Sequence, residues 1–364
     1  MTISERYEKM SLWTRLKQAD RPVVLYGTGN GADRILDIFE SSGISVSGVF
    51  ASDGFVRDRY FRGYRVKSYD DITAEFGDGI IIVLAFGSSL PGVIEFIREL
   101  DSRHELIIPE IPLYGGSLFD EDYLESKLMS AEKTRNMLAD GISRQLFDDA
   151  VNFRLSGKLR YAELTEPFEK SLKSLLSGRC HRNVLDGGAY RGDTACSIIS
   201  ALMPEKVYAA EPDRKTFVKL CEYAGAEKRA EVIPVNAALS SEPGTMPFSS
   251  QGSRGSGRTG AGKRARQDEV MTATIDGIAP EDGFQLIKLD IEGLEAQALR
   301  GAAAVLAEHR PDLIVSLYHR TDDLFEIPDM VSAMLPGHRL YLRRVPCLPM
   351  WDLNLFAVSD DGNA

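Results

Sequence analysis

The chain has 364 residues, of which 43% are hydrophobic and 27% charged, close to the average for globular proteins. These values exclude a collagen-like, coiled-coil or disordered chain, and at about 150 residues per domain the length predicts two or three domains. A formal net charge of -11 argues against a nucleic-acid or anionic-lipid partner. The longest apolar run, residues 79–87, is less than half of the ~20 residues that a membrane span needs, and the polar N-terminus does not resemble a signal peptide. We therefore expect a cytoplasmic protein without membrane insertion.

Residues 1–116 predict a helix followed by a small Rossmann-like α/β domain. Apolar residues at helical spacing predict a helix within residues 1–19. From residue 20 to 116, apolar strands alternate with helical segments, and the first strand leads into a glycine turn. Gly27, Gly29 and Ala32 match a GxGxxA form of the dinucleotide fingerprint, which is weak on its own. The turn either binds a ligand or retains only the fold.

The rest of the chain predicts a helical connector and a second, larger α/β domain. Residues 117–178 are charged and rich in helix formers, whereas residues 179–360 again alternate strand and helix as a doubly wound sheet requires. The last two predicted strands, residues 339–345 and 353–358, have no helix of comparable length between them. They predict an antiparallel hairpin at one edge of the sheet.

A nucleoside-binding pattern follows the first strands of this second domain. Asp186 to Gly192 form a D-x-G-x-x-x-G turn between an apolar strand and a helix, whose free amide groups can receive a carboxylate. Glu211 ends the next strand, where an acidic side chain can accept hydrogen bonds from two ribose hydroxyls. Asn236 and Ala237 follow the third strand, at the expected border of an adenine. The alternative is a sheet whose glycines serve only its turns.

Longer segments of this domain resemble the FkbM family of class I methyltransferases. The resemblance covers residues 183–358 and rests on the segments DGGAYRGDTA, AAEPD, VNAALS, LIKLDIEGLEAQALRGA and SLYHRTDDLFEIP. It implies S-adenosyl-L-methionine as cofactor and a hydroxyl of a sugar or sugar-derived acceptor as substrate. Tyr190 departs from the asparagine that much of the family has. The implied cofactor-binding residues are Asp186, Gly188, Ala189, Tyr190, Gly192, Asp193, Thr194, Glu211, Pro212, Asn236 and Ala237. The N-terminal domain also resembles a small domain of sugar-nucleotide modifying enzymes, which implies a nucleotide or sugar-nucleotide ligand at Gly27 and Gly29.

Three ionisable residues lie where the fourth and fifth strands of the second domain are predicted to end. Asp290, Glu292 and His319 should converge on the transferred methyl group, because ligands of open α/β sheets bind outside these strand ends. A hydroxyl acceptor must lose its proton, and we rank the candidate bases His319, Asp290, Glu292, since the ordinary pKa of histidine suits the task. Alternatively, the carboxylates cap a helix and His319 bonds a loop. A divalent metal held by the three side chains is a weaker alternative.

Residues 249–267 are almost free of apolar side chains and carry several cations without a carboxylate. Their composition predicts a flexible loop near the mouth of the substrate site, which either closes over an anionic acceptor or is merely solvated. The candidate substrate-binding residues in it are Arg254, Arg258, Lys263 and Arg264.

The leading hypothesis is methyl transfer to a hydroxyl of a small-molecule or glycan acceptor, such as a sugar nucleotide. The first alternative is a nicotinamide-dependent oxidoreductase that uses the N-terminal turn, and the second is a noncatalytic nucleotide-binding protein. Homo-oligomerisation remains open.

Overall fold

The N-terminal part of the chain forms a six-stranded sheet with helices around it. The structure is a computed structural model and describes residues 3–56, 59–112, 114–249 and 267–360. The elements in chain order are α1 (Ile3–Arg6), α2 (Leu12–Lys17), β1 (Val23–Tyr26), α3 (Asn30–Ser42), β2 (Gly48–Phe50), β3 (Tyr60–Phe61), β4 (Tyr64–Lys67), α4 (Tyr69–Phe76), β5 (Ile81–Leu84), α5 (Pro91–Arg103) and β6 (Glu105–Ile107). The strand order is β3-β4-β2-β1-β5-β6, with only the β3–β4 pair antiparallel.

The predicted single N-terminal helix is two short helices. The side chain of Ser11 accepts a hydrogen bond from the backbone N–H of Thr14 and so caps α2. This local bond starts a new helix and breaks the predicted one. Leu12, Trp13 and Leu16 on α2 are buried against the N-terminal sheet, as the apolar spacing predicted.

Three helices follow, α6 (Glu121–Met137), α7 (Gly141–Ser156) and α8 (Phe168–Leu176). Arg154 on α7 is buried and forms an ion pair with Glu110 at 2.8 Å. The same guanidinium donates hydrogen bonds to the carbonyl oxygens of Leu317 and Thr321, at 2.8 and 3.1 Å. One buried cation thus ties the helices, the segment after β6 and the C-terminal part together.

The C-terminal part contains a seven-stranded sheet. Its elements are β7 (Asn183–Gly187), α9 (Asp193–Leu202), β8 (Lys206–Ala210), α10 (Arg214–Ala226), β9 (Glu231–Val235), β10 (Ala238–Leu239), β11 (Gly244–Ser249), β12 (Gln267–Ala273), α11 (Ile275–Ile278), β13 (Leu286–Leu289), α12 (Glu295–Arg300), α13 (Ala303–His309), β14 (Asp312–Ser316), α14 (Asp323–Met334), β15 (His338–Arg344) and β16 (Leu353–Ser359). The strand order is β15-β16-β14-β13-β7-β8-β9. Strands β7, β8, β9, β13 and β14 are parallel, and the order reverses between β7 and β13, so the ligand crevice belongs there.

The predicted antiparallel hairpin is confirmed, since β15 pairs antiparallel with β16 and β16 with β14. The sequence pattern did not reveal a small separate sheet of β10, β12 and β11. The helical segment after β13 is divided into α12 and α13. The break falls at Gly301, where a Cβ would overlap the carbonyl oxygen of Ser240.

Among the described residues, no helix is both long and apolar enough to cross a bilayer.

Candidate active site

A cavity of about 620 Å³ opens at the carboxyl ends of β7, β8, β13 and β14. Its volume falls in the range of small-molecule sites, about 300–1,000 Å³. Parallel strands end at this edge, so side chains distant in sequence meet there. The predicted site residues that line the cavity are Gly188, Tyr190, Asp193, Thr194, Glu211, Pro212, Ala237, Asp290, Glu292 and His319.

Four predicted cofactor-binding residues do not line the cavity. Ala189 is fully buried near Leu220 of α10. A Cβ at Gly192, which has φ +94°, would overlap the ring of Tyr223. The side-chain amide of Asn236 donates to the carbonyl oxygen of Glu211 at 2.8 Å. These three residues shape the backbone around the cavity; the fourth, Asp186, pairs with a lysine described below.

Gly188 is required by a close approach of two strands. Its φ is +74°, and a Cβ there would overlap the carbonyl oxygen of Asp290. We expected glycine here to let the backbone approach a ligand. The structure shows that it first lets the turn after β7 lie against the end of β13.

Glu211 is the acidic residue that directly follows β8. Its side chain lines the cavity although the residue is only 7% exposed. One carboxylate oxygen accepts from the backbone N–H of Asp213 at 2.8 Å, and the other accepts from that of Tyr190 at 3.1 Å. Burial outweighs these bonds and raises the pKa of Glu211 to about 7. Each oxygen has a second lone-pair direction with which to accept a ribose hydroxyl.

Lys288 holds the turn after β7, a contact that the sequence did not predict. Its ammonium is buried, 2.9 Å from the carboxylate of Asp186, and donates to the carbonyl oxygens of Gly187 and Gly188 at 3.2 and 3.3 Å. Burial alone would lower the pKa of Lys288, but Asp186 and Asp290 outweigh it and raise the pKa. A lysine inside an otherwise apolar strand, LIKL, was the available signal.

The turn after β13 directs two carboxylates toward His319. Glu292 has φ +58°, a conformation uncommon for any residue but glycine, and Gly293 follows with φ +88°. The Nε2 atom of His319 lies 3.4 Å from Asp290 and 3.6 Å from Glu292, while its Nδ1 atom lies 2.8 Å from Glu295. Three carboxylates therefore surround one imidazole.

This arrangement overturns the expected titration of His319. Burial alone would lower its pKa, but Glu295, Glu292 and Asp290 raise it to about 10. His319 is consequently an imidazolium near neutral pH, with both ring N–H groups directed at carboxylates. An imidazolium cannot accept a proton, so this charge favours a carboxylate as the base, and the ranking of the three residues stays a prediction.

Asp290 and Glu292 differ in basicity. Although burial opposes ionisation of Asp290, Lys288 and His319 lower its pKa, and the hydroxyl of Tyr318 donates to it at 2.7 Å. Burial raises the pKa of Glu292, against the opposing effects of His319 and of the nearby Tyr114 hydroxyl. Glu292 is therefore the stronger proton acceptor of the two.

Oxygen and nitrogen atoms of Asp290, Glu295 and His319 lie within 4.8 Å of one another, close enough to share a metal ion. The predicted metal set named Glu292 in place of Glu295. Because the imidazolium already compensates the neighbouring carboxylates, the cluster is also explained by ion pairing alone. The metal stays a prediction.

The predicted acceptor residues lie elsewhere or outside the described residues. Gly27 and Gly29 belong to the turn after β1 and do not line the cavity; a Cβ at Gly27 would approach the Phe86 ring to 2.9 Å. Arg254, Arg258, Lys263 and Arg264 fall within residues 250–266, which the structure does not describe.

Several cavity residues come from segments that the sequence analysis did not connect with the site. They are Gly87, Ser88 and Ser89 after β5, Tyr114 after β6, and Cys347, Trp351 and Asp352 between β15 and β16. Strand periodicity carries no signal for such residues, because their place depends on how the two sheets dock.

Comparison with known proteins agrees with this geometry. Residues 186–343 match the family model of the methyltransferase FkbM domain. The crystal structure of methyltransferase FkbM from Methylobacillus flagellatus KT is 20% identical, with a TM-score of 0.70 over 98% of this chain and 92% of that chain. At this identity the likeness shows the fold, and its coverage includes the N-terminal sheet. No curated protein matches the chain.

Two further structures match only about half of this chain, with low TM-scores. A precorrin-6y C5,15-methyltransferase from Geobacter metallireducens is 9% identical, with a TM-score of 0.34 over 54% of this chain and 95% of that chain. Fibrillarin from Aeropyrum pernix, solved with bound S-adenosyl-L-methionine, is 12% identical, with a TM-score of 0.32 over 52% of this chain and 73% of that chain. Scores this low carry no argument about the present site.

Proposed function

We propose that this chain, which carries an FkbM methyltransferase domain at residues 186–343, transfers a methyl group from S-adenosyl-L-methionine to a hydroxyl of a sugar or sugar-derived acceptor. The observation that carries the proposal is the buried carboxylate of Glu211, which faces the same cavity as Asp290 and Glu292. A carboxylate that can bind a ribose and carboxylates that can accept a proton thus face the same cavity.

The residues present fit this cofactor. Glu211 would hold the two ribose hydroxyls, and Ala237 and Pro212 line the cavity where an adenine would lie. The amide groups at the start of α9, near Asp193 and Thr194, would face the carboxylate of the methionine part. When bound, the cofactor supplies a methyl group that leaves sulfur as the new carbon–oxygen bond forms, and sulfur keeps the electron pair of the broken bond.

The proton of the acceptor hydroxyl passes to Glu292. A sugar hydroxyl is too weak an acid to ionise unaided near neutral pH, so a positioned base contributes about a hundredfold or more to the rate. Tyr114 and His319 orient the Glu292 carboxylate, and Asp290 remains ionised as an acceptor for a second hydroxyl. Alignment of the oxygen with the methyl group supplies the rest of the acceleration.

Calorimetric titration of the purified protein with S-adenosyl-L-methionine and, separately, with NAD⁺ tests the cofactor. We expect binding of the first only. Binding of NAD⁺ alone would favour the oxidoreductase and would refute the proposal.

The variant Glu292→Gln tests the base, with mass-spectrometric detection of methylated product across a panel of sugars and sugar nucleotides. Turnover should fall about a hundredfold while cofactor affinity stays unchanged. Glu163→Gln, at an exposed glutamate that does not line the cavity, is the matched control. If Glu292→Gln keeps near-normal turnover and Asp290→Asn loses turnover, the catalytic base is Asp290.

A further inference from the structure

The cavity of the methyltransferase domain is closed by residues of the N-terminal unit. Gly87, Ser88 and Ser89 follow β5 of the first sheet, yet they line the same cavity as Asp290 and Glu292. They lie at the carboxyl end of a parallel strand, the edge at which α/β sheets hold ligands.

Specific contacts fix this wall to the second sheet. The backbone N–H of Ser88 donates to the carbonyl oxygen of Leu348 at 2.8 Å, and the N–H of Leu348 donates to that of Ser88 at 2.9 Å. A Cβ on Gly87 would overlap the six-membered ring of Trp351, so the indole packs directly on the Gly87 backbone. Trp351 itself lines the cavity and is only partly buried.

Tyr114 joins the wall to the reacting groups. Its ring packs edge-on against the imidazole of His319, with centroids 5.8 Å apart and planes at 80°. Burial and the nearby Glu292 carboxylate raise the pKa of its hydroxyl. A Cβ on Gly293 would lie 2.9 Å from the Tyr114 Cβ, so the glycine after Glu292 leaves room for this side chain.

The described lining of the cavity carries more acidic than basic side chains. Among the described lining residues, five are acidic: Asp193, Glu211, Asp290, Glu292 and Asp352. The cations among these lining residues are Lys288 and the imidazolium of His319, and both are already paired with carboxylates. A phosphate or carboxylate beside the methyl group would meet like charges in a partly buried space.

We propose that the N-terminal unit completes the acceptor site, with Trp351 and the Gly87–Ser89 segment forming a subsite for an uncharged, polyhydroxylated ring. The indole covers the apolar C–H face of such a ring, the carboxylates accept hydrogen bonds from its hydroxyls, and the serine hydroxyls bind at its rim. This inference rests on the proposed function and narrows its acceptor to a neutral sugar at the reacting end.

The two tryptophans of the chain provide the test. Trp13 is buried on α2, donates to the carbonyl oxygen of Phe119 and does not line the cavity. Trp13→Phe therefore leaves Trp351 as the single indole reporter. With S-adenosylhomocysteine at saturation, this variant is titrated with methyl α-D-glucopyranoside, methyl α-D-mannopyranoside, methyl α-L-rhamnopyranoside, glucose 1-phosphate and glucuronate, and indole emission is recorded.

We expect a saturable change of emission with at least one neutral glycoside, and binding about tenfold weaker for the two anionic sugars. Trp351→Phe removes the reporter, so its binding is measured by calorimetry; it should bind the responding glycoside about tenfold more weakly while remaining folded. No response to any neutral glycoside, or equal or tighter binding of the anionic sugars, overturns the inference. Calorimetry of S-adenosyl-L-methionine on the same variant separates the outcomes, because lost cofactor binding defeats the proposed function, whereas intact cofactor binding without a glycoside response defeats only the subsite.

Discussion

Glu211 accepts two backbone hydrogen bonds, so its replacement by glutamine sets an amide N–H group against the N–H of Asp213 or Tyr190. We expect Glu211→Gln to weaken S-adenosyl-L-methionine binding by about 1–3 kcal/mol, because a buried charged acceptor of the ribose is lost. Calorimetry measures the change. Glu222→Gln, on the exposed face of α10, is the control and should bind normally. Unchanged affinity in Glu211→Gln would remove the ribose assignment.

The acidity of the same residue gives a pH dependence. Since the pKa of Glu211 is raised to about 7, its ionised fraction falls below that pH. Cofactor affinity should therefore decline between about pH 8 and about pH 6, and this decline should be absent in Glu211→Gln. A decline of equal size in the variant would assign the effect to another group.

His319 should lower the free energy of unfolding as the pH rises, whereas Glu211 should lower cofactor affinity as the pH falls. Its folded-state pKa of about 10 lies above the ordinary value of 6.5, so the folded protein binds a proton that the unfolded chain releases between these values. The stabilisation is complete below about pH 6.5 and is lost as the pH rises through about 10. Urea denaturation in EDTA should show a lower free energy of unfolding at alkaline pH for the wild type, and a flatter profile for His319→Gln. Parallel profiles would mean that His319 is neutral in the folded protein.

The sequence predicts those site residues that follow closely after a strand. Glu211, Asp290 and His319 lie at strand ends of the parallel sheet, so topology alone brings them to one edge. The charge on His319 was not readable, because it depends on Glu295, which lies on α12 and reaches the imidazole only in the folded chain. The position of Trp351 at the cavity could not be predicted for a similar reason, because Trp351 packs against Gly87 only after the two sheets have come together.

At the level of elements, two glycine turns that look alike in sequence differ in their packing. Gly188 after β7 has φ +74°, and a Cβ there would overlap the Asp290 carbonyl oxygen, whereas Gly29 after β1 has φ −98° and no heavy atom within 4 Å of an added Cβ. We expect Gly188→Ala to destabilise the protein by about 1–3 kcal/mol or more and to weaken cofactor binding, since both the conformation and the space require glycine. Gly29→Ala should leave the stability and cofactor affinity unchanged.

Chemical denaturation and calorimetry on both variants check this pair. A Gly188→Ala protein as stable as the wild type would show that the turn can move away from β13. Loss of cofactor binding in a folded Gly29→Ala protein would contradict the separation of the two turns.

The element pattern itself was mostly predictable, because buried parallel strands read as apolar runs and helices fill the intervals. The sequence failed where a local interaction or a packing contact overrides the pattern. Ser11 divides the N-terminal helix by capping α2, and Gly301 divides the helix after β13 by lying against the Ser240 carbonyl. The small sheet of β10, β11 and β12 was not predicted, because β11 and β12 flank a polar segment whose composition predicts only a loop.

On the scale of the whole molecule, residues from the N-terminal and the C-terminal parts line the same candidate active site. We therefore expect the contact between the two parts to affect the binding of the acceptor. Gly87 lies in close contact with the C-terminal part, because a Cβ there would overlap the Trp351 ring, whereas Gly92, five residues later on α5, has no heavy atom within 4 Å of an added Cβ. Gly87→Ala must therefore displace the indole or the loop that carries it. We expect it to raise the acceptor KM about tenfold, as a misplaced positioning group does, while the affinity for S-adenosyl-L-methionine stays the same. Gly92→Ala should match the wild type in both quantities.

Steady-state kinetics with an identified acceptor and calorimetry with the cofactor measure the two effects. A Gly87→Ala enzyme with normal acceptor KM, or one that loses cofactor affinity in parallel, would mean that the contact between the sheets serves stability and does not shape the acceptor site.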